Sequence, residues 1–449
     1  MEKITGSEAL IRSLLAEGVD TLFGYPGGQI MPVFDALYDY SDSLRHILVR
    51  HEQGAVHAAQ GYARVSGKPG VVVVTSGPGA TNAITGIADA MIDSTPLVVI
   101  TGQVPGALLG TDAFQETDVI GISLPITKWS YQIRSAEEIP AAVARAFYIA
   151  RSGRPGPVVL DLPKNVQVGT TQFSYKKCDF IRSYTPVPQM HADALCRAAA
   201  MIEEAERPML IFGQGVILGH AEEALRRFVE KTGIPAASTL LGLSALPTSH
   251  PLNKGMVGMH GNLGPNKKTN ECDVLIAVGM RFDDRVTSDV DTYARQAKII
   301  HIDIDPSEIG KNIPVEVGVL GDAREVLTAL IDMVEEKSRE EWAAEFDALN
   351  AIERERVVEP ETHPKEGYLT MGEVVARVAE AAGGDAIIVT DVGQNQMMGA
   401  RYSRYNTTRS LVTSGGLGTM DSVSRPPLAR RLPLRIAPFA SLRATAACR

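Results

Sequence analysis

Short apolar runs alternate with helical periodicity along the first 170 residues of the chain. Residues 71–75, 97–101 and 158–162 are largely apolar runs bounded by turn residues, which is typical of strands buried on both faces of a sheet. Residues 52–65 and 80–91 have helical character, and the sequence Thr-Gly-Ser-Glu at residues 5–8 is a capping box that opens another helix. This alternation predicts a parallel sheet covered by helices on both faces.

The same rhythm returns twice further along the chain. Apolar runs at 209–212, 274–278 and 299–304, with a helix at 323–337, predict a second α/β unit. A helix at 370–382 and a strand at 386–390 begin a third. Segments 170–191 and 359–364 lack a period and predict linkers. The predicted fold is therefore a series of doubly wound parallel-sheet α/β domains, at 1–169, 190–338 and 368–420, with the third domain incomplete.

Residues 421–449 have a different composition from the rest. They hold six arginines, no lysine, four prolines and one acid, and they show no strand–helix rhythm. Two interpretations stay open. One is a natural, disordered basic tail; the other is a segment that is not the native continuation, for instance after a shift of reading frame.

Composition excludes several classes of function. The chain has 449 residues, 45% hydrophobic and 22% charged, with a net charge of −9, which argues against a nucleic-acid partner. Cysteines 178, 196, 272 and 448 have no C-x-x-C or zinc-pair spacing, which favours reduced thiols. The histidines have no metal-ligand spacing either, so we assign no metal ligand. With no signal peptide and no apolar stretch of 18 residues, the sequence predicts a cytoplasmic protein without a membrane partner.

Glu52 is the first candidate for catalysis. It follows a predicted strand and begins a helix, at the edge where α/β sheets bind ligands. An acid in a first helical turn is also favoured by the helix dipole alone. Glycine-rich turns at residues 25–28 and 75–82 also end strands. Each turn alone could serve tight packing, but together around one acid they indicate a pocket for a flat ring system.

The second domain carries weaker signals for phosphate and ribose. Gly213 and Gly215 follow a strand but do not form a complete dinucleotide motif. Residues 279–287 place two arginines and two acids after a strand, which fits either a solvated loop or an arginine clamp on a diphosphate. Residues 301–306 end a further strand with acids suited to ribose hydroxyls.

Five motifs in this order resemble the acetolactate synthase (acetohydroxyacid synthase) large catalytic subunit family, from about residue 4 to residue 420. They are His-Glu-Gln-Gly-Ala at 51–55, Thr-Ser-Gly-Pro-Gly-Ala-Thr-Asn at 75–82, Phe-Gln-Glu-Thr-Asp at 114–118, Arg-Pro-Gly-Pro-Val at 154–158 and Arg-Phe-Asp-Asp-Arg-Val-Thr at 281–287. The first segments fit other thiamine-diphosphate enzymes as well, whereas the Phe114–Gln115 pair and the 281–287 run narrow the resemblance to this family.

The resemblance implies a thiamine-diphosphate-binding fold with a central FAD-binding domain. The first domain would bind the pyrimidine of thiamine diphosphate, the middle one FAD, and the third the diphosphate and Mg²⁺. The active site would form between subunits, so a homo-oligomer (dimer or tetramer) with a small regulatory subunit is expected. The implied reaction decarboxylates pyruvate and joins the two-carbon fragment to a second pyruvate or to 2-oxobutanoate, the first common step of branched-chain amino-acid biosynthesis. FAD would have a structural role.

The resemblance also assigns roles to individual residues. Glu52 would relay a proton to the pyrimidine ring, and Gln115, Phe114, Lys164 and Arg281 would act around the reacting centre and the substrate. The residues that would bind thiamine diphosphate are Tyr25, Pro26, Gly27, Gly28, Asn82, Val392, Gly393, Gln394, Gly418 and Met420. The residues that would bind FAD are Arg154, Gly213, Gly215, Thr239, Leu240, His260, Gly279, Asp283, Arg285, Asp303 and Asp322.

The chain departs from the family pattern in its third domain. Asn395 stands where the family often has His, and the Gly-Asp-Gly…Asn motif that would hold Mg²⁺ is absent from the sequence. Because the diphosphate would lose its metal anchor, an alternative hypothesis is a non-catalytic FAD-binding fragment. A third is a related thiamine enzyme that decarboxylates without condensation, which the 281–287 run disfavours.

Overall fold

The structure, a computed structural model, describes residues 3–364, 367–420 and the backbone of 439–442. The described chain divides into two compact units. The first contains the residues up to Pro186 and the segment that begins at Ser414; the second contains Val187–Thr413 and the strand at 439–442. The predicted central domain and residues 368–413 of the predicted third domain thus fall in one unit, and residues 414–420 fall in the other. No helix of the described part is long and apolar enough to cross a membrane.

The first unit is built on a six-stranded parallel sheet of order β3-β2-β4-β5-β7-β6, beside a small antiparallel pair β1-β8. Its elements are β1 (Lys3–Thr5), α1 (Gly6–Ala16), β2 (Thr21–Tyr25), α2 (Met31–Tyr38), β3 (Arg45–Leu48), α3 (Glu52–Ser66), β4 (Gly70–Val74), α4 (Pro78–Ile92), β5 (Leu97–Gln103), α5 (Val119–Ser123), β6 (Trp129–Gln132), α6 (Ile139–Arg151), β7 (Pro157–Pro163), α7 (Lys164–Val168) and β8 (Thr170–Gln172).

Helices cover this sheet on both faces, as predicted. One core gathers Leu10, Phe147 and their neighbours on one face, and a second gathers Val56, Ile87 and theirs on the other. β4 is buried along its whole length because neighbouring side chains point to opposite covered faces. The predicted capping box is confirmed, since the Thr5 side chain accepts a hydrogen bond from Glu8 N at the start of α1.

The second unit contains two parallel sheets. Their strand orders are β11-β10-β9-β12-β13-β14 and β16-β15-β17. Its elements are α8 (Ala192–Glu204), β9 (Pro208–Phe212), α9 (Gln214–Leu218), α10 (Glu222–Thr232), β10 (Ala236–Ser238), β11 (Asn253–Met256), α11 (Leu263–Thr269), β12 (Val274–Val278), α12 (Asp284–Thr287), β13 (Lys298–Asp303), β14 (Val317–Leu320), α13 (Ala323–Met333), α14 (Glu340–Glu353), a π-helical turn (Arg354–Val358), α15 (Glu359–Thr362), α16 (Met371–Ala381), β15 (Ile387–Thr390), α17 (Gln394–Tyr402), β16 (Leu411–Val412) and β17 (Phe439–Leu442).

Several predicted assignments differ from the structure. The predicted linker at 170–191 is wrong for its first three residues, Thr170–Gln172, which form β8 and pair with β1. The segment after residue 338 is not outside the central domain, because α14 buries Trp342 and Phe346 in the core of its sheet. The predicted linker at 359–364 is wrong for Glu359–Thr362, which is helical. A disordered tail is wrong for Phe439–Leu442, which pairs with β15; the rest of 421–449 lies outside the described residues. For α14 and for Phe439–Leu442, contacts with residues far away in the sequence order the segment.

Candidate active site

Glu52 begins α3, directly after the turn that follows β3. It is 7% exposed, and Asn82 Nδ2 donates to Glu52 Oε2 at 3.0 Å. Asn82 lies in the first turns of α4, so the amino-terminal ends of two helices meet at one carboxylate. Two predicted site residues that are 30 positions apart in sequence are thus in direct contact. Because Asn82 occupies Oε2 and the described residues give Oε1 no hydrogen bond, Oε1 is the atom left for a ligand.

Two glycine-rich turns meet beside this carboxylate. A Cβ on Gly79 would lie 2.7 Å from Thr75 Cγ2 and 3.3 Å from Glu52 Oε1. A Cβ on Gly27, in the turn after β2, would lie 2.6 Å from Thr75 Cβ. Ser76 Oγ is buried here and has no hydrogen-bond partner in the described part of the chain. The turns leave space only because these positions lack side chains, as expected for a cleft that takes a flat ring.

Further predicted residues lie around the same turns. The Cβ position of Gly77 is 2.8 Å from the backbone oxygen of Gln115, so the loop that carries Phe114 and Gln115 lies against the turn after β4. Phe114 is 84% exposed. Lys164 Nζ donates to the backbone oxygen of Gly28 at 3.1 Å. Tyr25 is the last residue of β2, and Pro26 follows it. The predicted first-domain residues of the thiamine site are therefore brought together.

A second group of predicted residues lines the carboxyl edge of the larger sheet in the second unit. Gly215 N donates to the Gly279 carbonyl at 2.9 Å, which joins the turns after β9 and β12. A Cβ on Gly213 would lie 2.4 Å from the same carbonyl. Thr239, followed by Leu240, comes directly after β10, Asp303 ends β13, and Asp322 caps α13 by accepting from Arg324 N at 3.0 Å. These residues share one edge, as the flavin assignment requires.

The arginine-rich run after β12 is more ordered than a solvated loop. Asp283 caps α12, and its carboxylate lies 3.3 Å from Arg281 Nε. Met259 N donates to the Arg285 carbonyl at 2.8 Å, which brings the His260 turn beside the run. Both ring nitrogens of His260 are buried without a partner in the described residues, and burial lowers the pKa of His260. An imidazole and a serine hydroxyl (Ser238 Oγ) without partners suit a polar ligand at this edge.

The other assigned residues fall in separate places. Arg154, predicted to contact FAD, lies in the first unit and donates from Nε to Ser94 Oγ at 2.8 Å. Val392, Gly393 and Gln394 follow β15 in the second unit, where Gly393 caps α17 with φ +87°. Gly418 and Met420 belong to the first unit. Neither unit by itself gathers all of the residues predicted for thiamine diphosphate or for FAD.

The contacts that hold the segment at Ser414 were not predicted from the sequence. At the end of α4, Asp93 accepts from Gly415 N and Gly416 N, both at 2.8 Å, and Asp89 accepts from Ser414 Oγ at 2.5 Å. Arg64 donates to Asp93 at 2.7 Å. Burial raises the pKa of Asp93. The only sequence signal is the spacing of two acids by four residues near a helix end, which is usually a solvated face.

Asp161 on β7 is a second buried acid that sequence analysis missed. It is 0% exposed and accepts from Thr101 Oγ1 at 2.8 Å, Gln132 Nε2 at 2.7 Å and Gln103 Nε2 at 3.2 Å. Burial raises the pKa of Asp161 to about 6, despite these three hydrogen bonds. Because this value exceeds the ordinary 3.8, ionisation of Asp161 lowers the free energy of unfolding. The stabilisation that the protonated form gives is complete below about pH 4 and is lost as the pH rises through about 6.

The direction of this pH dependence of stability can be measured with Asp161→Asn. Relative to that variant, we expect the free energy of unfolding of the unchanged chain to fall by about 2 kcal/mol between about pH 4 and pH 7.5. Denaturant unfolding followed by the fluorescence of Trp129, which lies on neighbouring β6, reports on the same unit. A difference between the two proteins that stays constant with pH would show that Asp161 does not titrate in this range.

Comparisons with known proteins give the class of the chain. A family model described as "Thiamine pyrophosphate enzyme, N-terminal TPP binding domain" matches residues 4–122, and one described as "Thiamine pyrophosphate enzyme, central domain" matches residues 195–330. These matches cover the Glu52 site and the sheet that carries Gly213 and Gly279. The fold and the site therefore define a thiamine-pyrophosphate enzyme.

Comparisons with individual proteins assign the chain to one family within the thiamine-pyrophosphate enzymes. Acetolactate synthase of Mycobacterium bovis is 48% identical over 429 residues, which are 94% of this chain and 68% of the relative. The acetolactate synthase large subunit of Corynebacterium glutamicum is 47% identical, covering 93% of this chain and 67% of the relative. The probable acetolactate synthase large subunit of Methanocaldococcus jannaschii is 47% identical, covering 92% and 71%. The chain belongs to the acetolactate synthase large-subunit family.

The cofactors typical of this family fit the described residues to different extents. The buried carboxylate, the unpartnered Ser76 hydroxyl and the glycine turns fit the ring of thiamine diphosphate. The unpartnered His260 and Ser238 atoms fit a flavin nucleotide. For Mg²⁺ there is no such fit, because no group of three or more His, Cys, Asp and Glu side chains among the described residues could hold a metal ion. Mg²⁺ is therefore assigned to none of the described residues.

Proposed function

We propose that the chain catalyses acetolactate formation, in which two molecules of pyruvate give one acetolactate and one CO₂, or pyruvate and 2-oxobutanoate give the homologous product. The observation that carries the proposal is the buried Glu52 carboxylate, held by Asn82 in a glycine-lined cleft. Identity of 47–48% to acetolactate synthases over most of the chain supports it. When bound, thiamine diphosphate would supply the electron sink for decarboxylation.

The geometry at Glu52 supports a separate task for each oxygen. Oε2 accepts from Asn82, which fixes the plane of the carboxyl group. Oε1 faces the space over Gly79, so we infer that Oε1 exchanges a proton with the pyrimidine ring. The low exposure of Glu52 keeps water from competing for that proton. Gln115 and Phe114 lie on the loop beside Gly77, where they would face the substrate, and Lys164 would orient it from the opposite turn.

We assign a flavin to the carboxyl edge of the larger sheet in the second unit. The turns after β9 and β12 would receive the diphosphate, with Arg285 as the candidate cationic partner, while Arg281 stays assigned to the substrate. Asp303, at the end of β13, would accept from ribose hydroxyls. Because acetolactate formation has no net oxidation, the flavin would stabilise the fold that binds it rather than transfer electrons.

A homo-oligomer and a small regulatory subunit complete the proposal. Several apolar side chains around the Glu52 cleft are exposed, among them Tyr25, Leu48 and Phe114. Exposed apolar surface beside a site is typical of a face that another chain covers. Two of the relatives compared above are named large subunits, which supports a smaller partner for this chain as well.

The experiment supplies the purified chain with pyruvate, thiamine diphosphate, Mg²⁺ and FAD. We expect one CO₂ for each acetolactate formed, which is measured as acetoin after acid decarboxylation. Release of acetaldehyde with CO₂ and without acetolactate would instead indicate decarboxylation without condensation. If the chain binds flavin and forms neither product, the proposed activity is wrong.

A further inference from the structure

Gln103 attaches the loop that carries Phe114 and Gln115 to the sheet of the first unit. It is the last residue of β5 and is 1% exposed. Its Nε2 donates to the Thr117 carbonyl at 2.9 Å and to Asp161 Oδ2 at 3.2 Å, and its Oε1 accepts from Val104 N at 2.9 Å. Because every polar atom of this amide is engaged, the side chain has one orientation, and the loop is bound to it immediately after Gln115 and Glu116.

The loop needs such an attachment because Gln115 has a strained backbone. Its φ is +63°, in the left-handed region that residues with a side chain seldom adopt. In this conformation its backbone lies against Gly77, where a Cβ would come within 2.8 Å of the Gln115 oxygen. On the other side, Glu116 accepts from the backbone N–H groups of Gly110 and Ala113. Two sets of hydrogen bonds therefore hold the strained residue. One is the bond from Gln103 to the Thr117 carbonyl, and the other is the pair that Glu116 accepts.

Burying Asp161 lowers the stability of the fold, so stability alone does not explain why an acid holds the Gln103 amide. It is fully buried, and its three partners are neutral donors from Thr101, Gln103 and Gln132. No lysine, arginine or histidine side chain among the described residues forms an ion pair with it, and the charge of another acid, Asp118, raises its pKa. A buried carboxylate without a cation costs stability. This cost is consistent with a role in orienting Gln103 toward the loop.

We propose that Gln103 and Asp161 are positioning residues for the reaction. Asp161 fixes the Gln103 amide, and Gln103 holds the Thr117 carbonyl so that Gln115 stays against Gly77 beside the Glu52 cleft. This inference rests on the proposed function. Neither side chain needs to touch the substrate.

The chain offers a matched pair of variants for the test. Gln103→Glu and Gln132→Glu each replace a donor to Asp161 with a second carboxylate, but only Gln103 also contacts Thr117. In Gln103→Glu, we expect amide hydrogen exchange of residues 114–117 to rise by about 10-fold or more. We also expect kcat for acetolactate to fall by about 10-fold or more, because a small displacement of a reacting group is costly. Gln132→Glu also disturbs Asp161 but leaves the hydrogen bond to Thr117 in place, so it should change both quantities clearly less than Gln103→Glu does.

The outcomes separate the inference from the proposed function. Equal changes in loop exchange and kcat for the two variants would overturn the positioning role and leave only a structural one. If the unchanged chain forms no acetolactate, it is the proposed function that fails. If either glutamate variant does not fold, Gln103→Met and Gln132→Met give the same comparison without the added charge. Loop exchange and kcat are then measured on these two variants, and equal changes would again overturn the positioning role.

Discussion

Replacing Glu52 with glutamine is expected to lower kcat for acetolactate by roughly 10²- to 10⁴-fold, the usual contribution of a positioned acid–base group. Glutamine has nearly the same shape and can still accept from Asn82 through its amide oxygen. It cannot exchange a proton at the atom that replaces Oε1. The fold should therefore persist while the proton step is lost. Initial rates of acetolactate formation at saturating pyruvate measure the effect.

A second measurement tests the role of Glu52 without relying on turnover. The C2 proton of bound thiamine diphosphate should exchange with deuterium more slowly in Glu52→Gln than in the unchanged chain. Glu373→Gln is the control, because Glu373 is also a buried acid in a first helical turn but lies in α16 of the second unit. If both variants lose activity equally, the loss reflects buried-acid substitution in general and not the role assigned to Glu52.

The sequence predicted the central strands and the Glu52 cleft because their signals are local. Buried parallel strands such as β4 and β12 are continuous apolar runs, and the glycine turns follow them directly. In a parallel sheet, the carboxyl ends of neighbouring strands share an edge, so motifs far apart in sequence can be assigned to one place. Contact between Glu52 and Asn82 follows from that geometry.

Other features have no local signal. β6 and β14 lie at sheet edges, and their side chains are less buried, so they lack the apolar run of a central strand. α14 has little helical amphipathicity, and only its contact with the core through Trp342 and Phe346 reveals its place. Asp161 and Gln103 become partners only through the pairing of β5 with β7, which joins residues 58 positions apart. Such networks are invisible to periodicity.

The third region was predicted only in part. Its helix α16 and strand β15 match the apolar pattern closely. By contrast, the strand at Phe439–Leu442 lies in a basic segment whose composition favours disorder, and only pairing with β15 identifies it. The assignment of Val392, Gly393 and Gln394 to thiamine diphosphate stays a prediction. So does that of Gly418 and Met420, which the fold places in the other unit.

The second large effect is expected at the turns of the flavin edge, with Gly215→Ala. A Cβ at this position would lie 2.6 Å from Gly279 Cα and 2.9 Å from the Gly279 oxygen. These are backbone atoms, so the turns after β9 and β12 must separate, at a cost of about 1–3 kcal/mol in the free energy of unfolding. Because both glycines are predicted flavin residues, we expect at least a roughly 10-fold weaker affinity for FAD, with 1.4 kcal/mol corresponding to each factor of ten.

Gly233→Ala distinguishes lost binding from lost stability. Gly233 ends α10, just before β10, and thus lies at the opposite edge of the same sheet. Its φ is +65°, and a Cβ there would lie 2.6 Å from the Lys337 oxygen, so alanine is crowded and strained as well. We expect Gly233→Ala to destabilise the second unit while titration by flavin fluorescence finds the FAD affinity within about 3-fold of the unchanged chain. Equal loss of FAD affinity in both variants would mean that FAD affinity depends on the stability of the unit and not on the turns at Gly215 and Gly279.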